Sequence, residues 1–210
     1  MNGGHPPYEW GCVHGRFQPF HRGHLEYALL AKERCRRLLV GVTNPDPAWI
    51  MPEAANADRH TIESNPFTYF ERALMLRDSL LGEGLEAREF LITPFPIQQP
   101  ESYRYYVPEG IIHFVRVYSG WEEEKVRRLK AQGFAVEVLG RGAEKTVSGT
   151  EVRRLIRASL DWEHLVPAAT GSVIRDAVGS EPRRFGGPKR STGSAPRGGS
   201  LREPRDPTSL

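Results

Sequence analysis

Cysteine is nearly missing: 210 residues hold two, Cys12 and Cys35. A pair of thiols forms neither a disulfide framework nor a metal quartet, which excludes a small secreted scaffold and a cysteine-rich zinc module. Long apolar runs are missing as well; none approaches the ~20 residues a membrane span requires. The first residues lack the basic region and apolar stretch of a signal peptide. Together these absences predict a reduced, cytoplasmic protein with two ordinary thiols and no membrane partner. Apolar side chains are also sparse, at 39%, below the share usual for a globular domain.

The shortage is local. Residues 180–210 read SEPRRFGGPKRSTGSAPRGGSLREPRDPTSL. A segment so poor in apolar side chains buries too little surface to offset its ordering entropy. Composition therefore predicts a disordered basic tail over 180–210, behind one folded domain over 1–179. The tail holds seven Arg or Lys against three Asp or Glu, which leaves 22 against 23 in the body. The formal charge of +3 belongs to the tail, and the body is nearly neutral. Nothing in that balance asks for nucleic acid as a partner.

Strand-like runs alternate with helical ones. WGCV (10–13) is a short apolar run that ends in a Gly- and Pro-containing loop. Residues 23–35 place Leu25, Ala28, Leu29 and Lys32 at helical spacing, with Leu29 and Leu30 predicted inside. RLLVGVT (37–43), EFLIT (89–93), HFVRVYS (113–119) and FAVEVLG (134–140) read as further strands. Residues 44–65 read as a long loop. Asn65-Pro66 predicts the start of a helix over 66–81, with Phe67, Phe70, Leu74 and Leu81 on its buried stripe. Residues 122–132 read as another helix, and helices over about 149–158 and on to Val178 complete the body. This alternation predicts an α/β fold: a single-domain, Rossmann-like, doubly wound parallel sheet with helices on both faces. Ligands of such sheets lie outside the carboxyl ends of the strands, where the strand order reverses.

The loop after the first strand reads HGRFQPFHRGH (14–24). His21 and His24, three apart, have the spacing of two zinc ligands, yet none of His60, His113 and His164 stands at a spacing that completes a set. A phosphate site uses more of the stretch. Gly15 permits a tight turn, Arg16 offers a planar donor fork, and the free amides of a helix starting near Gly23 carry about half a positive charge. Polar residues that merely cap a helix are the third reading. TVSGTEVRRLI (146–156) repeats the theme, with Ser148, Gly149 and Thr150 ahead of a helix and Arg153 and Arg154 one turn in. Two anion-ready helix starts on one sheet point to a ligand with several phosphates.

In this order, GRFQPFHRGH and SGTEVRR resemble the paired signatures of the nucleotidylyltransferase superfamily, and the nearest pattern is the archaeal type of nicotinamide mononucleotide adenylyltransferase. The resemblance runs from about Gly11 to Val178 and includes NPFTYFERALML and VYSG. It implies an enzyme that joins an acceptor phosphate to the α-phosphorus of a nucleoside triphosphate, CTP or ATP. Pyrophosphate would leave, Mg2+ would screen the phosphates, and no covalent intermediate would form. The resemblance also implies that His21, His24 and Arg153 act in catalysis, with His24 nearest the α-phosphoryl group. Gly15, Arg16 and Phe17 would join them around the nucleotide, and the amides of Ser148, Gly149 and Thr150 would cradle the β- and γ-phosphates.

The acceptor half departs from that pattern. The archaeal enzymes carry an acidic residue and a tryptophan between the third strand and the next helix, and an Asn-Pro after the fourth strand. Here those regions read PIQQPESYRYYVPEG (96–110) and YSGWEEE (118–124). Tyr105 stands near the tryptophan position, Arg104 is added, Trp121-Glu122 replaces Asn-Pro, and a long insertion over 43–64 follows the second strand. An added arginine and a lost aromatic slot suit a small, strongly anionic acceptor. In this respect the chain is similar to the cytidylyltransferases that activate small phosphonates in antibiotic pathways, which implies a phosphonate or phosphate acceptor. Arg104, Tyr105, Trp121, Asn44, Asp46, Arg59, His60 and Arg72 are the acceptor-side candidates. Two other readings stay open: Tyr105 or Trp121 stacked on nicotinamide in a divergent enzyme, and a non-catalytic nucleotide sensor that works through the basic tail.

Overall fold

Five apolar runs become five strands: β1 (Tyr8–Gly15), β2 (Cys35–Thr43), β3 (Phe90–Phe95), β4 (Ile112–Val117) and β5 (Ala135–Arg141). The computed structural model describes residues 6–46, 61–141 and 146–186, and in it the strands lie in the order β3-β2-β1-β4-β5. Every ladder is parallel, which requires crossovers long enough to hold helices. The helices are α1 (Arg22–Lys32), α2 (Tyr69–Gly82), α3 (Gly120–Ala131), α4 (Gly149–Arg157) and α5 (Ala168–Ser180).

Successive side chains on a strand face opposite ways, so each strand feeds two cores. Val13, Leu38, Val40 and Phe114 enter one that α1, α2, α4 and α5 close. Cys12, Leu39, Val115 and Val117 enter the other, closed by α3 and a 3-10 helix over Pro100–Tyr105. The result is a doubly wound sheet with helices on both faces, and the winding reverses between β1 and β4.

Helix α2 begins later than Asn65-Pro66 predicts. Thr68 is the cap: its hydroxyl accepts from the Glu71 amide (3.2 Å), and the Glu71 carboxylate accepts from the Thr68 amide (2.7 Å). That reciprocal pair satisfies two amides where Asn65 would satisfy one. The predicted stripe shifts with the start. Phe70 is 69% exposed and Leu81 41%, whereas Arg72, Met75, Leu76, Ser79 and Leu80 are buried. On α1, Leu29 and Leu30 are half-buried, and Leu25, Tyr27, Ala28 and Ala31 carry the packing.

The folded body also reaches past Gly179. Helix α5 runs to Ser180, and Phe185 is buried with its ring 5.3 Å from that of Phe67. Arg184 donates to both carboxylate oxygens of Glu71 (3.0 and 2.5 Å) and to the Pro66 carbonyl. Composition places 180–186 in the tail because one aromatic among arginines and glycines is a weak apolar signal. The rest of the predicted tail, 187–210, lies outside the described residues. Among the described residues, no helix is long and apolar enough to cross a membrane.

Candidate active site

A cavity of about 650 Å3 opens at the carboxyl ends of β1, β2 and β4, where the winding reverses. Its charge is one-sided. Arg16, Arg116, Lys125, Arg153 and Arg157 line it, against a single carboxylate, Glu122, among the described lining residues. Such a surface attracts an anion of high charge.

The loop after β1 supplies one wall. Gly15 is needed for packing, since a methyl there would stand 2.9 Å from the Phe17 ring. Phe17 itself has a positive φ of 53° and is buried, a strained backbone for a bulky residue that the core over-determines. Gln18 ties the loop to the chain ahead of α2: its amide donates to Phe67 O (2.8 Å) and accepts from Phe67 N (2.9 Å). His21 is the N-cap of α1, not a residue of its first turn, and its carbonyl accepts from the His24 and Leu25 amides. The His21 and His24 rings stack with centroids 3.6 Å apart, and Phe17 meets His24 edge-on at 5.0 Å. Helix spacing thus delivers two parallel imidazoles to one wall of the cavity.

The start of α4 supplies the facing wall. The Ser148 hydroxyl caps it by accepting from the Glu151 amide (3.2 Å). Arg153, 5% exposed, donates to Gln18 O (2.5 Å) and to the Thr150 hydroxyl (3.2 Å). Burial pushes its guanidinium down to about 10, so it remains charged at neutral pH. Gly149 permits this approach: a methyl there would stand 2.9 Å from Gln18 O. Gly149→Ala is therefore expected to push α4 off the β1 loop at a cost of about 1–3 kcal/mol, which lowers the melting temperature by roughly 2–12 °C and raises KM for the nucleotide. A variant with wild-type melting and KM would contradict the close approach.

Several acceptor-side candidates fall elsewhere. Tyr103 is buried and donates to Ile97 O (2.6 Å), which turns the next residues of the tight 3-10 helix outward. Arg104 consequently lies over the ring of Tyr105 (5.2 Å), itself 74% exposed, and neither lines the cavity. Asp46 is exposed and outside the cavity lining. Arg59 and His60 lie outside the described residues.

Arg72 is a clamp and not a ligand. It is 1% exposed and donates to the carbonyls of Arg16 (2.9 Å), Thr43 (2.9 Å), Asn44 (2.8 Å) and Thr68 (3.2 Å), so it locks the loops after β1 and β2 together. Asn65, read as a helix cap, instead accepts from Arg16 (3.5 Å) and donates to Thr61 O (2.9 Å). Asn44 and Trp121 do line the cavity, together with Gly15, Arg16, Phe17, His21, His24, Ser148, Gly149, Thr150 and Arg153.

Sequence reasoning misses the cations at the other end. Lys125 on α3 is 9% exposed and donates to His14 O (3.1 Å); it sits in the charged run EEEKVRR with nothing local to mark it. Arg116 on β4 donates to Glu26 (2.7 Å). Both stand beside Tyr118 and Trp121 in the lining.

The sequence pattern of the cytidylyltransferase-like family matches residues 12–155. The chain is 45% identical over 166 residues to the phosphonoformate cytidylyltransferase of Streptomyces viridochromogenes, an alignment that covers 79% of this chain and 90% of that one. It is 31% identical over 175 residues to the nicotinamide-nucleotide adenylyltransferase of Saccharolobus solfataricus, with 83% and 94% covered. Among solved structures, a bifunctional NMN adenylyltransferase/ADP ribose pyrophosphatase from Francisella tularensis superposes with a TM-score of 0.63 at 16% identity. That alignment covers 85% of this chain and 52% of the larger protein, so the chain spans about half its length.

Proposed function

The chain belongs to the cytidylyltransferase-like family and is a nucleotidyltransferase, and we propose that it transfers CMP from CTP to a small phosphonate, phosphonoformate first among them, as a step of phosphonate antibiotic biosynthesis. The observation that carries this reading is one cavity that joins the starts of α1 and α4 and is lined by Arg16, Arg116, Lys125, Arg153 and Arg157 against one carboxylate among the described residues. The 45% identity to a phosphonoformate cytidylyltransferase supports the choice of both substrates.

In this mechanism an oxygen of the acceptor attacks the α-phosphorus of CTP, the bond to the β-phosphate bridging oxygen breaks, and pyrophosphate leaves with that electron pair. The acceptor is already anionic, so the protein has no strong base to supply and mainly positions and neutralises charge. The stacked imidazoles of His21 and His24 donate to the α-phosphoryl oxygens as charge builds there. Arg16 and Arg153 hold phosphates, and the amides at the start of α4 cradle the β- and γ-groups. Lys125 and Arg116 receive the acceptor, beside Trp121 and Tyr118. Mg2+ enters with the triphosphate as part of the substrate. Imidazoles, guanidiniums and amides dominate the lining, with Glu122 its one carboxylate among the described residues, so the ion would take its oxygens chiefly from the triphosphate and water and would screen the phosphate charge.

A second reading, adenylyl transfer to nicotinamide mononucleotide, is favoured by the aromatic pair Tyr118 and Trp121 in the lining and by the 31% identical relative. Isotope transfer tests the mechanism in either case. With α-labelled CTP and phosphonoformate, label is expected in a CMP–phosphonoformate product and none on acid-quenched protein. Label covalently held by the protein would sink direct transfer.

A further inference from the structure

The core on the α3 face holds a cluster that the transfer chemistry does not use. Cys12 and His14 alternate along β1 and so share one side of the sheet; His113 on β4 stands opposite Cys12 in the parallel register. Cys12 Sγ and a ring nitrogen from each histidine lie within 4.8 Å of one another. All three residues are at most 2% exposed. None of the four ring nitrogens has a hydrogen-bond partner, and the thiol meets only backbone, at 3.7 Å to Val13 O and at Gly41. Buried polar groups are almost always satisfied. Two imidazoles without hydrogen-bond partners thus converge on a thiol that only backbone touches, and imidazole with thiol is the donor set of a soft metal.

The geometry points to a divalent transition-metal site of the zinc class, formed by Cys12 Sγ and one ring nitrogen each of His14 and His113. Ligand atoms around tetrahedral zinc stand about 3.3–3.6 Å apart, as bond lengths near 2.3 Å to sulfur and 2.0 Å to nitrogen require. Closure therefore needs inward shifts of roughly 1 Å. Thiolate with imidazole selects zinc over magnesium or calcium. Binding sends the Cys12 proton to solvent and leaves a thiolate on the metal.

Packing already aims the ligands. Phe95 stacks on His14 at 5.0 Å, and Phe134 stands edge-on to His113 at 4.9 Å. Gly41 leaves the room for this stack, because a methyl there would stand 2.9 Å from Phe95 Cβ and 3.2 Å from His14 Cβ. Burial, then Lys125, holds both imidazoles in the neutral form that ligates. His14 also lines the cavity, and its carbonyl carries Lys125, so the ion sits behind the acceptor end. The site stands independently of which acceptor is used.

Untagged protein is expected to retain about one zinc ion per chain. Chelator-stripped protein titrated with cobalt(II) should develop sulfur-to-cobalt charge transfer and the visible bands of tetrahedral coordination. Cys12→Ser and His113→Gln should lose them, with cobalt affinity weakened by more than the ~10–100-fold that outer-shell changes cost; Cys35→Ser should keep them. X-ray absorption on the wild-type protein, which depends on no variant folding, should find one sulfur and two imidazole nitrogens at the metal. Wild-type protein without stoichiometric metal and without the sulfur band overturns the assignment, and so does a band that survives Cys12→Ser.

Discussion

His24→Ala is expected to lower turnover by about 100- to 1,000-fold, the loss typical when one donor to a developing charge is removed, while nucleotide affinity stays nearly unchanged. The expectation follows from how the ring is held. His24 stacks on His21 at 3.6 Å and meets Phe17 edge-on at 5.0 Å, so it is oriented before substrate arrives and has little freedom to lose in the transition state. In the proposed mechanism the ground-state triphosphate has other holders, Arg16, Arg153 and the α4 amides, so binding is expected to survive. An equal fall in kcat and kcat/KM, with KM unchanged, is the signature of an interaction made in the transition state alone. Rapid-mixing kinetics and equilibrium nucleotide titration on the same preparation check it. Wild-type turnover, or a loss confined to KM, would remove His24 from the reaction.

Arg72→Met is expected to produce the largest loss of stability. The side chain is close in volume and apolar, so the core stays filled, but the carbonyls of Arg16, Thr43 and Asn44 lose their shared donor. An unsatisfied buried polar group costs about 1–3 kcal/mol, so a total of at least about 3 kcal/mol and a melting temperature lower by roughly 6–12 °C are expected. Turnover should fall as well, because the loops that carry Arg16 and Asn44 are no longer tied together. Burial pushes the guanidinium down to about 10, still well above neutrality, so the clamp is charged at working pH. Arg72→Lys keeps the charge but cannot span four carbonyls, and should recover only part of the loss. A methionine variant that melts within the error of the wild type would refute the clamp.

The sheet and the two motif-bearing walls of the cavity were legible because local signals carry them. Five short apolar runs separated by helical stretches leave little choice of fold class, and the paired motifs around His21 and Ser148 announce two helix starts. On the acceptor side only Asn44 and Trp121 were legible, and the others were not, for a different physical reason at each residue. Arg104 and Tyr105 turn outward because a buried neighbour, Tyr103, sets the phase of a 3-10 helix. Arg72 is read from sequence as an acceptor-side cation; only the tertiary meeting of two loops makes it a buried clamp. Lys125 and Arg116 reach the cavity through the packing of α3 and the register of β4. The Cys12–His14–His113 cluster depends on Cys12 standing opposite His113, and strand register between β1 and β4, a hundred residues apart in the chain, has no local trace. Asn65 misleads for a simpler reason: Asn-Pro and the Thr68–Glu71 capping box compete for one helix start, and the box satisfies more amides.

Pyrophosphate release tests the central claim most directly. The purified protein, with Mg2+, is given CTP or ATP, each paired with phosphonoformate or nicotinamide mononucleotide. Fast release with CTP and phosphonoformate, and slow release in the other three pairings, is the predicted result. Fast release with ATP and the mononucleotide, and little with CTP and phosphonoformate, would contradict the small anionic acceptor and assign the cavity's far end to a pyridine nucleotide.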